Sequence, residues 1–443
     1  LEKKFIQAIQ SFAYPLNDLR DLDVLIKGIN NKKLVLLGES SHGTSEFYQI
    51  RAELSKRLIL EKGFTFLAVE GDWPACQKVN EYIKGWDLKS NHARDVLQAF
   101  NRWPTWMWAN EEMVEFIEWV KAYNQRQPLE RKVGFYGIDV YSLWESLDEI
   151  VNYLEETNSP DIVAARKTIA CFEPFNRQPE KYGVSAAFYS ADCHDEVIKL
   201  LTDISLKRNI YLDNEESGLN LEVNALITAN AENYYRTMIT NDNESWNIRD
   251  RHMVETLNRI MMFFGNQAKG IIWEHNTHVG DARATDMADE GIVNVGQLLR
   301  EQEGEENLFI IGFGTHRGSV IAADKWGNNF KQMITPPAQA DSWEDLMHRA
   351  NTKNKILLFN NENRHVFNHP IRHRAIGVVY NPLDEHLGNY VPSKMSERYD
   401  AFIYINNTNA IHPLAGQRNR NRVPAENQQQ DANGKGISHS RIK

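Results

Sequence analysis

The stretch KLVLLGESSHGTSEFYQIRAELSKRLILEKGFTFLAVE, residues 33–70, decides the fold. It opens with an unbroken aliphatic run, Leu34 to Leu37, and closes with a second apolar run that ends at Val69. Between them Phe47, Ile50, Leu54, Leu58 and Ile59 recur at helical spacing. Continuous rather than alternating hydrophobicity predicts strands covered on both faces. Strand, helix and strand in that order predict parallel pairing and the α/β class.

The same kind of run returns in KVGFYGID (132–139), GIIWEHN (270–276) and NLFIIGFG (307–314), and similar runs follow in AIGVVY (375–380) and DAFIYI (400–405). Between Tyr141 and Gly265 the strand signal gives way to helical stretches such as LEVNALITANAENYYRTMI and WNIRDRHMVETLNRIMMFF. The expected architecture is therefore an α/β fold with a central, mainly parallel sheet flanked by helices. Residues 1–140 and 266–415 supply the two parts of this core, and residues 141–265 form a helical insertion over the strand C-terminal ends, one wall of a cleft. Residues 416–443 are polar and nearly free of large apolar side chains, which predicts a weakly ordered tail.

Composition narrows the function classes. Hydrophobic residues at 42% and charged residues at 25% fit an ordinary globular protein, and a formal net charge of -10 gives no footprint for nucleic acid. No apolar stretch reaches the roughly 20 residues of a membrane-spanning helix, and the first residues lack a signal peptide's apolar block, so the expected compartment is the cytoplasm. Cys76, Cys171 and Cys193 are odd in number and irregular in spacing, which predicts three unpaired thiols in a reducing compartment.

The chemistry gathers at strand ends. Glu39, Glu70, Asp139 and His275 close successive runs, and His42, His278 and His316 fall in the loops just beyond. Parallel α/β sheets bind ligands beyond the carboxyl ends of their strands, so these separated segments converge on one rim. His42 is the candidate general base, with Glu39 or Glu70 as the carboxylate that fixes its tautomer; an ordinary environment would place its titration at about 6 to 7. His275 and His278, with Asn276 between them, suit two ligands of one metal or two donors to one oxyanion. Arg51, on the first helix, is the candidate for neutralising charge on a carbonyl oxygen. Trp103, Trp106 and Trp108 either fill core or form an apolar wall. Trp103, Trp106, Asp139 and Asn276 are the expected substrate contacts. No G-x-S-x-G elbow, phosphate loop, C-x-x-C or H-E-x-x-H is present, which favours water as nucleophile.

Together GESSHGTSEFYQIRAELSKRLILEKGFTFLAVEGDWP, RWPTW, FYGIDVYSL, WNIRDRHMVETL and WEHNTHVGDAR resemble the erythromycin esterase family, whose members are also labelled succinoglycan biosynthesis proteins. The resemblance spans residues 30–405 and implies a hydrolase of esters, with macrolide lactones among the family's substrates. It implies His42 as the base, Glu39 and Glu70 as its carboxylate neighbours, and Arg51, His275 and His278 as further site residues. The expected partner is a small-molecule ester or lactone, with no nucleic acid, membrane or cofactor. The alternatives are a divalent metal held by His42, Glu70, His275 and His278, or a non-catalytic protein of polysaccharide assembly.

Overall fold

The computed structural model describes residues 2–207 and 216–416. Alternate residues of one strand feed opposite cores, as the two-residue period of a strand requires. Leu34 and Leu36 pack on one face with Phe66, Ala68, Tyr136 and Ile272, whereas Val35 and Leu37 pack on the other with Leu67, Val69, Phe135 and Ile271. This two-sided burial is why the runs lack polar alternation.

Eleven strands are present among the described residues: β1 (Tyr14–Pro15), β2 (Leu34–Leu37), β3 (Phe66–Val69), β4 (Gly134–Gly137), β5 (Gly270–Trp273), β6 (Leu308–Ala322), β7 (Lys331–Thr335), β8 (Lys355–Leu358), β9 (Pro370–Arg374), β10 (Tyr390–Lys394) and β11 (Ala401–Thr408). The main sheet runs β1–β8–β11–β6–β2–β5–β3–β4, with β7 added to β6. From β11 to β4 every pairing is parallel, while β1, β8 and β7 join antiparallel. The α/β class and the mainly parallel sheet match the sequence pattern.

Helix α1 (Ser45–Lys62) crosses from β2 to β3 and stops at Gly63, whose φ of 69° closes the last turn in the left-handed conformation. Its Phe47, Ile50, Leu54 and Leu58 fill the core on one side of the sheet. Between β4 and β5 come α2 (Leu143–Glu156), α3 (Ile162–Phe172), α4 (Pro179–Tyr189), α5 (His194–Leu206), α6 (Glu216–Thr237) and α7 (Asp242–Phe264). Their Leu147, Ile150, Phe172, Leu200, Ile227 and Leu257 belong to the opposite core. The register then fixes where strands end: Leu37 pairs with Trp273, Trp273 with Val69, and Val69 with Gly137. Four strands finish in one row.

Several expectations are corrected. Residues 375–380 form no strand; Ile376 and Val379 make only isolated bridges, to Ser41 and Ala323, and the run is apolar because Ile376 and Tyr380 are buried in a cluster with Val320 and Ala322 of β6 and Met333 of β7. His316 does not sit in a loop past the fifth run, because β6 continues for 15 residues and His316 lies within it, stacked on His348 with ring centroids 3.8 Å apart. Cys171, near the end of α3, is disulfide-bonded to Cys193 at the start of α5, so only Cys76 is a free thiol. The thiols therefore no longer argue for a reducing compartment. No helix among the described residues is long and apolar enough to cross a membrane. The tail beyond Gly416 lies outside the described residues.

Candidate active site

The turn after β2 is held in place by two glycines that admit no side chain. A Cβ on Gly38 would lie 2.2 Å from Asn276 Oδ1, and one on Gly43 would lie 2.0 Å from the Ile321 carbonyl oxygen. This close packing presents Glu39 and His42 three residues apart. His42 Nδ1 lies 2.9 Å from Glu39 Oε1, and Arg51 Nη2 donates to Glu39 Oε2 at 2.7 Å. A carboxylate only accepts, so the His42 proton sits on Nδ1 and Nε2 is left as the basic atom.

Glu70, one residue past β3, meets His42 from the next strand but one. Glu70 Oε2 accepts from the His275 backbone N–H at 2.9 Å, and Glu70 Oε1 accepts from Arg249 Nη2 at 2.8 Å. Asp139, two residues past β4, takes the same guanidinium in a fork, from Nε at 2.9 Å and Nη2 at 2.7 Å. The Arg249 Nη1 atom faces His278 Nε2 at 3.2 Å, and His278 Nδ1 lies 2.9 Å from Asp250 Oδ1. His275 and His42 bring their ring centroids to 4.9 Å.

Arg249 and Asp250 come from α7 and were not singled out by sequence reasoning, although both lie inside the WNIRDRHMVETL motif. A cation flanked by acids on a helix that must cover strand-end carboxylates was the available signal. Glu274 was missed too; it is buried beside these groups, and neither of its carboxyl oxygens has a hydrogen-bond partner.

Electrostatics follow from the crowding. Burial opposes the charged form of His42, but the Glu70 carboxylate and the hydrogen-bonded Glu39 outweigh it and raise its pKa. Burial also opposes charge on Glu70, yet His278, His42 and Arg249 hold it well below the usual carboxylate range. His275 moves the other way: burial, reinforced by His42, drops its pKa well below the ordinary value and keeps the ring neutral. Burial and the nearby Glu70 and Asp250 charges push the Glu274 pKa well up.

These groups line or adjoin a cavity of about 240 Å³ bordered by His42, Glu70, Asp139, Arg249, Trp103 and Tyr141. Three expected roles do not survive the placement. Arg51 is fully buried behind Glu39, its guanidinium between the Tyr48 and Trp273 rings, so it braces Glu39 instead of reaching a substrate carbonyl. Asn276 donates to the Phe313 carbonyl at 2.7 Å and accepts from the Phe313 N–H at 3.2 Å, which locks the loop to β6 and takes its amide away from the cavity. Trp106 is fully buried core beneath the wall, whereas Trp103 does line the cavity.

The donors proposed for a divalent ion do not surround a common point. Glu70 is committed to Arg249 and a backbone N–H, and His278 Nε2 faces Arg249 Nη1, so the guanidinium already supplies the positive charge among these donors. Among the described residues no group of three or more His, Cys, Asp and Glu side chains is arranged to hold a metal. The donor set does not fit one.

The chain is similar in sequence and in fold to known proteins. The chain is 22% identical to YbfO of Bacillus subtilis (strain 168) over 91% of each protein. A 127-residue stretch, 29% of this chain and 28% of its relative, is 28% identical to erythromycin esterase type II of Escherichia coli. Among solved structures, a succinoglycan biosynthesis protein superposes with a TM-score of 0.74 at 21% identity, covering 94% of this chain and 99% of the other. A variant of the erythromycin esterase EreC in its open conformation gives 0.65 at 18% identity, covering 88% and 94%. Residues 59–408 match the family model described as erythromycin esterase, and the chain belongs to that family of hydrolases.

Proposed function

We propose that the protein hydrolyses a carboxylic ester, with a macrocyclic lactone as the first substrate to test, by water that His42 activates and without a covalent enzyme intermediate. One observation carries this reading. The His42 ring borders the cavity while its Nδ1 is tied to a carboxylate that Arg51 clamps from behind, so a fixed Nε2 is presented beside Glu70 and Arg249.

The steps balance on these residues. Water gives a proton to His42 Nε2 as its oxygen bonds to the ester carbon, and Glu39 stabilises the imidazolium. The carbonyl oxygen becomes an oxyanion. Arg249 has five N–H donors and spends four on Asp139, Glu70 and His278, which leaves one Nη1 hydrogen and the positive charge for that oxyanion. Collapse breaks the bond to the alcohol oxygen, which takes the proton back from His42. Hydrolysis of a lactone and simple-ester panel in ¹⁸O-labelled water tests the scheme: label in the acid product, lost with His42→Ala, is expected. Retained turnover in His42→Ala removes His42 from the chemistry, and an acyl-enzyme adduct by mass spectrometry removes direct water attack.

A further inference from the structure

The hairpin joining β6 to β7, residues 323–330, carries an indole that the chemistry above does not use. Trp326 is 53% exposed, although large aromatic rings ordinarily hide their surface. Its ring centroid lies 4.4 Å from that of Trp103 at a tilt of 57°, and both indoles border the cavity that holds His42 and Glu70.

The hairpin is fastened in this position. Trp103 Nε1 donates to the Asn328 carbonyl at 2.9 Å, Asn328 Nδ2 donates to Asp324 Oδ1 at 2.9 Å, and Lys331 pairs with Asp324 at 3.0 Å. At its base the Ala323 N–H donates to the Val378 carbonyl at 2.9 Å, and the Tyr380 N–H donates to the Ala323 carbonyl at 2.9 Å. Phe100, Met107 and Val378 add apolar surface to the same cavity, whose lining also carries the Arg102–Asp72 pair and Lys78, Glu145, Asp148 and Glu149. The exposed Trp326 face is thus an apolar surface open to the cavity that holds His42.

We infer that Trp103 and Trp326 form an apolar subsite that receives a hydrocarbon group of the ester, an aryl ring or an alkyl chain of hexyl length, and so sets substrate preference. The inference rests on ester hydrolysis at His42 as proposed above. A preorganised aromatic pair gains from covering its open face, and a contact remote from the reacting carbon acts alike on bound substrate and transition state, so it appears in KM.

The test compares 4-nitrophenyl acetate, hexanoate and phenylacetate with the wild type, Trp326→Ala and Trp326→Phe. The ratio of kcat/KM for hexanoate or phenylacetate over acetate is expected to fall about tenfold in Trp326→Ala, through KM, and to recover largely in Trp326→Phe. An unchanged ratio, or an equal loss on all three esters, overturns the subsite. Calorimetric binding of N-(4-nitrophenyl)hexanamide separates the two ideas. Weaker binding to Trp326→Ala supports the subsite even when no ester is turned over, a result that sinks only the hydrolase proposal. Equal binding overturns the subsite and leaves ester hydrolysis standing.

Discussion

Replacing Arg249 by methionine tests the electrostatic core most directly. The guanidinium makes three hydrogen bonds of 2.7 to 2.9 Å to two carboxylates, Glu70 and Asp139, and all three residues are buried. Methionine keeps much of the length and the apolar contact but leaves two buried negative charges without their shared cation. Breaking a buried pair in this way costs about 3–5 kcal/mol. The sign with pH follows from linkage. In the wild type Glu70 and Asp139 both titrate below their ordinary values, the positive neighbours outweighing burial, so their contribution is present above the unfolded carboxylate range of about 4 and is lost as pH falls through the folded values. Without the guanidinium Asp139 loses its main counter-charge and burial raises its pKa, while His278 and His42 still hold Glu70 down, so the folded variant keeps a proton on Asp139 that its unfolded chain releases. Its stability therefore declines as pH rises, and the gap to wild type widens between about pH 4.5 and about pH 8. Urea unfolding followed by tryptophan fluorescence at both pH values measures the gap, and Asp139→Asn in the Arg249→Met background should recover part of it. A loss below about 1 kcal/mol at the higher pH, or a gap that narrows with rising pH, refutes the reasoning.

Other expectations are as direct. His42→Ala should lower kcat by about 10² to 10⁴ while the protein still folds, as steady-state kinetics and circular dichroism will read. Because the His42 pKa is raised, the acidic limb of kcat/KM should lie above the ordinary value of 6.5 and move to lower pH in Glu70→Gln, which removes one of the groups that raise it. A limb that stays in place in Glu70→Gln counts against that coupling. Dialysis against a chelator should leave turnover unchanged, checked by metal analysis of the same sample. Replacing Cys171 and Cys193 by serine should cost about 3 kcal/mol for a bridge of 22 residues' separation, and a reductant should lower the wild-type midpoint toward that of the variant.

The strand ends were legible because a strand buried on both faces must be apolar, so the first polar residue after each run announces the rim. Glu39, Glu70 and Asp139 were found this way, whereas after Trp273 the first polar residue is Glu274, which was passed over for His275. Arg249 was not, because it lies on a helix 110 residues from Asp139 in the chain and its partners are fixed by packing, not by any local period. The short Lys355–Leu358 strand offered too few apolar residues to stand out, and the 375–380 run shows the reverse error, apolar sequence buried without a ladder. Asn276 and Trp106 fit a binding role by residue type, yet each is consumed by structure: one ties a loop to β6, the other fills core. The cysteine bridge depends on how α3, α4 and α5 fold back, which spacing alone does not reveal.

That a helix outside the sheet supplies Arg249 makes assembly of the catalytic groups contingent on docking. During synthesis the first three parallel strands emerge well before residue 249; Glu39 already has Arg51, but Glu70 and Asp139 precede the guanidinium that they share. Only arrival of α7 brings the cation for Glu70 and Asp139. A chain severed in the turn at Asn241, ahead of α7, would have to regain its guanidinium by reassociation, and recovery of activity on mixing the two pieces would report that single event.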